Sequence, residues 1–126
     1  MLVDDDTGML KYLSDVLETG GFEVFATDHG ADAVPLAKKV RPDLIVLDIF
    51  VPDLSGSHIA EILAEDKTTA EIPILFATGI VTKQEEATAS LRRAGHYLIA
   101  KPIRPAELLE TVNRILAERG PAAAGA

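Results

Sequence analysis

Apolar positions in this chain fall into two kinds of pattern. Short unbroken runs cover Phe22 to Ala26, Leu44 to Leu47, Ile72 to Ala77 and Tyr97 to Ala100, and each predicts a strand. A further strand must come first and end at Val3. Leu44-Ile45-Val46-Leu47 has no polar alternation, so both of its faces should be buried, as in a parallel sheet covered by helices. The second pattern has helical spacing. Met9, Leu13, Val16 and Leu17 line one face, with Asp6 or Thr7 as cap and Gly20-Gly21 as stop. Ile59, Ile62 and Leu63 line another. Leu108, Val112, Ile115 and Leu116 line a third, with Pro105 suited to its first turn. Ala31 to Val40 and Lys83 to Arg93 are weaker helical stretches. Pro35 lies inside the former, so that helix should start near it or bend there. In the latter only Ala87, Leu91 and Ala94 can turn inward.

Strand and helix thus alternate five times. That order predicts an α/β fold, a doubly wound five-stranded parallel sheet with helices on both faces. Crossovers in such sheets are right-handed, and ligands bind beyond the carboxyl ends of the strands. One domain over residues 1–119 is expected. Residues 120–126, rich in Ala, Gly and Pro, read as a disordered tail or the start of a linker.

Composition narrows the function. A net charge of -8 and few aromatics argue against direct nucleic-acid binding. The absence of cysteine excludes disulfides and thiolate metal sites. No apolar run is long enough for a membrane span, and the start turns acidic too soon for a signal peptide. A cytoplasmic location is the expectation.

The chemistry gathers at the predicted strand ends. The first strand ends in Asp4-Asp5, the third in Asp48, the fourth in Thr78 and the fifth in Lys101, followed by Pro102. In a doubly wound sheet these ends share one edge, which would bring three carboxylates, a hydroxyl and an ammonium into one pocket. Clustered carboxylates repel unless a cation sits among them. Oxygen ligands without His or Cys point to a hard ion, Mg²⁺ before Zn²⁺. Thr78 can donate to a phosphoryl oxygen and Lys101 can neutralise one.

Taken together, Val3-Asp4-Asp5, Asp48 with Pro52 and Gly56, Thr78-Gly79 and Lys101-Pro102 resemble the receiver domain of two-component signalling proteins, over about residues 1 to 118. The resemblance implies a flavodoxin-like (CheY-like) sheet of strand order 2-1-3-4-5. It implies that Asp48 is the phosphoacceptor. Asp5 would bind Mg²⁺ directly, Asp4 would hold its waters, and the Phe50 backbone carbonyl would complete the protein ligands. Thr78 and Lys101 would bind the phosphoryl oxygens, and the Lys101-Pro102 peptide would be cis. Implied partners are a sensor histidine kinase or phosphotransfer protein, and a downstream target. The target would read the face made by the Lys83–Arg93 helix, the last strand and the last helix; a homodimer is compatible with that face. Tyr97, Leu98 and Arg104 are candidates for this switch or partner surface. The sequence also departs from the family. Phe50 is unusual in its place, and Ser55 replaces a frequent Asp. Leu98 stands where the switch aromatic belongs, with Tyr97 one residue earlier. The first strand is short.

Other readings compete at single positions. Asp4-Asp5-Asp6 in isolation reads as a helix-capping turn, and Asp6 keeps that reading. Asp53 reads as a solvated turn residue. His29, His58 and His96 lack ligand spacing and read as surface residues. Arg92 and Arg93 read as a solvated helix end. Two other functions remain in view. One is a pseudo-receiver that binds partners or dimerises without phosphorylation. The other is a phosphatase of the haloacid-dehalogenase type, suggested by Asp4-Asp5-Asp6-Thr7 but lacking the further acidic pair after the lysine.

Overall fold

The computed structural model describes residues 1–49, 51, 53–79 and 95–125; for Thr78 and residues 120–125 it describes the backbone only. The elements in order are β1 (Leu2–Val3), α1 (Thr7–Thr19), β2 (Ala26–Thr27), α2 (Gly30–Val40), β3 (Ile45–Asp48), α3 (Gly56–Glu65), β4 (Ile74–Thr78), β5 (Tyr97–Ala100) and α4 (Pro105–Gly125). The helix predicted over Lys83–Arg93 lies outside the described residues.

The five strands form one parallel sheet, as the alternation predicts, in the order β2-β1-β3-β4-β5 that the family resemblance implies. Alternate side chains of each strand serve two cores. Val3, Ile45, Leu47, Ile74 and Phe76 pack against Ala33 and Ala37 of α2 and Ile59 and Leu63 of α3. Leu2, Val46, Leu75, Ala77 and Ile99 pack against Leu13 and Leu17 of α1 and Leu108, Val112 and Ile115 of α4. The missing polar alternation in Leu44–Leu47 is thus explained: β3 has helices on both faces.

Several boundaries differ from expectation. The second strand is predicted from Phe22, yet only Ala26–Thr27 pair with β1. A parallel ladder needs a partner at each step, and β1 supplies Leu2 and Val3. Helix α2 starts at Gly30, five residues ahead of Pro35, and runs through the proline to Val40. On α1 the inward face is Leu10, Leu13 and Leu17, with Met9 and Val16 at its margins. The helical backbone of α4 continues to Gly125, past residue 119. Among the described residues no helix is long and apolar enough to cross a membrane.

Candidate functional site

The register of the sheet sets the positions of the strand-end residues. Val3 of β1 lies beside Leu47 of β3, so Asp4 follows at the level of Asp48. Asp48 lies beside Ala77 of β4, and Thr78 beside Ala100 of β5. Lys101 is one step further out. Parallel strands therefore bring residues separated by up to 97 positions to one edge.

Carboxylate oxygens of Asp4, Asp5 and Asp48 all lie within 4.8 Å of one another. Asp4 is buried, at 3% exposure; Asp48 is half-buried and Asp5 exposed. Asp4 is held from two sides. Its Oδ1 accepts from the Asp6 N–H at 3.0 Å, and its Oδ2 accepts from Lys101 Nζ at 3.2 Å. The same ammonium stands 3.5 Å from Asp48 Oδ2. Burial alone would lower the Lys101 pKa, but the carboxylates of Asp48 and Asp4 outweigh it, and the pKa is raised. The ammonium therefore stays charged across the physiological range.

The chemistry of this donor set fits Mg²⁺. All the donors are oxygens, and one carboxylate is buried, where water screens its charge little. The exposed Asp5 leaves the cluster open to solvent on one side, as an ion that keeps several waters requires.

Local chain geometry places Asp48 tightly. Gly56, the first residue of α3, donates its N–H to the Ile49 carbonyl at 2.8 Å. A Cβ on Gly56 would overlap the Asp48 carbonyl oxygen and stand 3.0 Å from the Ile49 Cα. Only glycine allows α3 to begin this close to the end of β3. On the other side, the Lys101-Pro102 peptide is cis. The carbonyl of the next residue, Ile103, accepts from the Tyr12 hydroxyl at 2.9 Å, which ties that loop to α1.

Of the residues singled out from sequence, Asp4, Asp5, Asp48 and Lys101 come together. Thr78 ends β4 at the same edge, its side chain outside what is described. Phe50 and Pro52 lie outside the described residues, as do Arg92 and Arg93. Tyr97 and Leu98 point to opposite faces of the sheet. Leu98 packs on the α2/α3 side, whereas Tyr97 packs on the α1/α4 side and donates its hydroxyl to Glu118 Oε2 at 3.1 Å. Arg104 is exposed and immediately precedes α4.

Two residues behave differently from their sequence reading. His96 is half-buried, its ring edge-on to Phe76 with centroids 5.3 Å apart, and burial lowers its pKa. Asp53 is exposed but not merely solvated. Its Oδ1 accepts from the Gly30 N–H at 2.9 Å and its Oδ2 from the Ala31 N–H at 3.0 Å. The signal that could have found this contact is a missing one. Residue 29, which precedes α2, is His, a poor helix cap, so the first-turn amides of α2 needed an acceptor from elsewhere.

The profile of the response regulator receiver domain matches residues 1–113. The polar-differentiation response regulator DivK of Brucella anthropi is 33% identical over 119 residues, covering 94% of this chain and 95% of that protein. A response regulator from Desulfuromonas acetoxidans superposes with a TM-score of 0.82 at 32% identity, covering 93% of this chain and 94% of that one. A CheY-like receiver domain protein from Methanospirillum hungatei superposes with a TM-score of 0.84 at 27% identity, over 94% and 92% of the two chains. These matches set aside the phosphatase reading. With its 2-1-3-4-5 sheet and its acidic cluster at the carboxyl edge, the chain belongs to the response regulator receiver domain family, whose members are regulatory domains of two-component signalling.

Proposed function

We propose that this domain accepts a phosphoryl group on Asp48 from a phosphohistidine, in a Mg²⁺-dependent reaction, and thereby switches a partner-binding face. The observation that carries the reading is the meeting of three carboxylates within 4.8 Å under one lysine ammonium. Nothing in the fold alone calls for such a concentration of charge, whereas a site that takes up a cation and a phosphoryl group does.

The chain's own residues divide the work. Asp4, fixed by Asp6 and Lys101, is a rigid buried acceptor for the waters of the ion. Asp5 and the Phe50 carbonyl would be the direct ligands beside Asp48. Bound there, Mg²⁺ would offset charge on the transferring phosphoryl oxygens. A carboxylate oxygen of Asp48 attacks phosphorus, the P–N bond breaks as the O–P bond forms, and the imidazole leaves to the donor protein. The Lys101 ammonium, already between Asp4 and Asp48, pairs with the oxygens that arrive. The Thr78 hydroxyl is the further donor. The product adds roughly one and a half to two negative charges. Thr78 follows them inward, and the face of β5, α4 and the preceding segment repacks between two states. The donor is a sensor histidine kinase or phosphotransfer protein, and the reader is a downstream protein target.

Incubation with acetyl phosphate and Mg²⁺, followed by intact-mass measurement, tests this. The expected gain is about 80 Da, one phosphoryl group, absent when a chelator is present from the start and absent in Asp48→Ala. An unchanged mass in the native protein, or the same gain in Asp48→Ala, would sink it. One observation favours a second reading, a constitutive binding or dimerisation module. Leu98 occupies the switch position, and the neighbouring aromatic, Tyr97, is committed to the other face through Glu118. The same mass measurement separates the two.

A further inference from the structure

We infer that Asp53 is a positioning residue for the acidic cluster: by capping α2 from a distant part of the chain, it ties the connection between β3 and α3 to a second helix and so supports Mg²⁺ binding at the adjoining carboxylates. The inference rests on the Mg²⁺-dependent reading proposed above.

Helices α1 and α3 are capped by their own preceding residues. Asp6 accepts from the Met9 N–H at 3.1 Å, and Ser55 from the His58 N–H at 3.3 Å. The residue before α2, His29, makes no side-chain cap. Its duty passes to Asp53, 23 positions from Gly30 and 22 from Ala31. Each carboxylate oxygen takes a different amide, so the pair of bonds fixes the orientation of the carboxylate as well as its place.

The approach is as close as the backbone permits. A Cβ on Gly30 would stand 2.9 Å from the Leu54 carbonyl oxygen and 3.0 Å from Asp53 Oδ1. The described residues between β3 and α3 are anchored at several places. Its base is closed by the Gly56 N–H on the Ile49 carbonyl at 2.8 Å. Val51 is sunk in the core at 3% exposure. Asp53 holds the outer turn to α2. Leu54 packs against the core beside it. Without the Asp53 clasp, the outer turn keeps that apolar contact but loses its tie to α2. Ordering it then becomes a cost of binding at the adjoining cluster. Groups that orient ligands without touching the ion tune its affinity in this way.

Titration with Mg²⁺ by calorimetry, on the native protein, Asp53→Ala and the double variant His29→Ser/Asp53→Ala, tests the inference. A serine hydroxyl in place of the His29 ring gives α2 a local cap but no tie to the loop. Asp53→Ala should bind Mg²⁺ about tenfold more weakly. In Mg²⁺-free NMR spectra the Gly30 and Ala31 amides should also shift. The double variant should regain thermal stability without regaining Mg²⁺ affinity. Native affinity in Asp53→Ala, or recovery of affinity in the double variant, would reduce Asp53 to a helix cap and overturn the inference. Absence of Mg²⁺ binding in the native protein would overturn the underlying reading of the site as well, and the native arm alone identifies that case.

Discussion

The turn from β1 into α1 closes on itself within six residues. Asp4 accepts from the Asp6 N–H, and Asp6 accepts from the Met9 N–H. The loop from β3 into α3 also leaves the carboxyl edge and also adjoins a site carboxylate, yet it is held partly from outside. Gly56 closes its base, and Asp53 reaches back to the start of α2. The helix-capping bonds of the first turn therefore depend on neighbours in sequence, although Asp4 is also held by Lys101 and by the Thr27 carbonyl. The second depends on α2 and α3 both being docked on the same face of the sheet. Two halves of one acidic cluster are thus stabilised by different means, and they should respond differently to the same kind of damage.

Gly56→Ala gives the largest expected effect. The added Cβ meets backbone at the end of β3, and backbone cannot swing aside as a flexible side chain would. Overpacking of this kind should cost about 3 kcal/mol, read by urea unfolding, and phosphorylation of Asp48 should slow with it. A loss under about 1 kcal/mol would show that the base of the loop is looser than this geometry requires.

Asp6→Ala is the matched injury to the other turn. Losing a local helix cap should cost about 1 kcal/mol. Because the Asp6 cap bond is local to α1, the Gly30 and Ala31 amide signals should not move. Movement there would mean that the two loops are coupled and that the comparison fails.

The smallest effect is expected from pH. The N–H groups of Ala31 and Gly30 hold the Asp53 carboxyl below its usual pKa. A depressed carboxyl contributes its stabilisation above the unfolded value, about 3.9, and loses it as pH falls through the lower folded value. Gly30 and Ala31 amide shifts should therefore titrate together below about pH 3.9, with only a slight change in unfolding midpoint, since the group is exposed and screened. A midpoint at or above that pH would mean that the clasp is not formed in solution.

Much of this was legible in the sequence because the signals were short-range. The unbroken run around Val46 declared a strand buried on both faces. Asp6 declared the start of α1, and Pro105 the start of α4. The edge residues Asp4, Asp5, Asp48 and Lys101 could be grouped because alternation implies a parallel sheet whose strand ends share one edge, while the strand order came from the family resemblance. The opposite facing of Tyr97 and Leu98 was legible in principle from the two-residue period of a strand, but which core each enters depends on where α4 and α2 pack. The extent of β2 was not legible, since the apolar run from Phe22 says nothing of which steps find a partner.

What the sequence determined alone was the alternation of the described elements, the parallel sense of the sheet and the identity of the charged residues at its carboxyl edge. Hydrophobic period and turn chemistry act over a few residues, so neighbours in the chain are enough to express them. Tertiary structure decided the rest: the two carboxylates that share the Lys101 ammonium, the glycine contact under Asp48, and the assignment of Asp53 to a helix 23 positions away. A hydrogen bond between distant residues depends on the relative placement of two docked elements, and no local pattern encodes that placement.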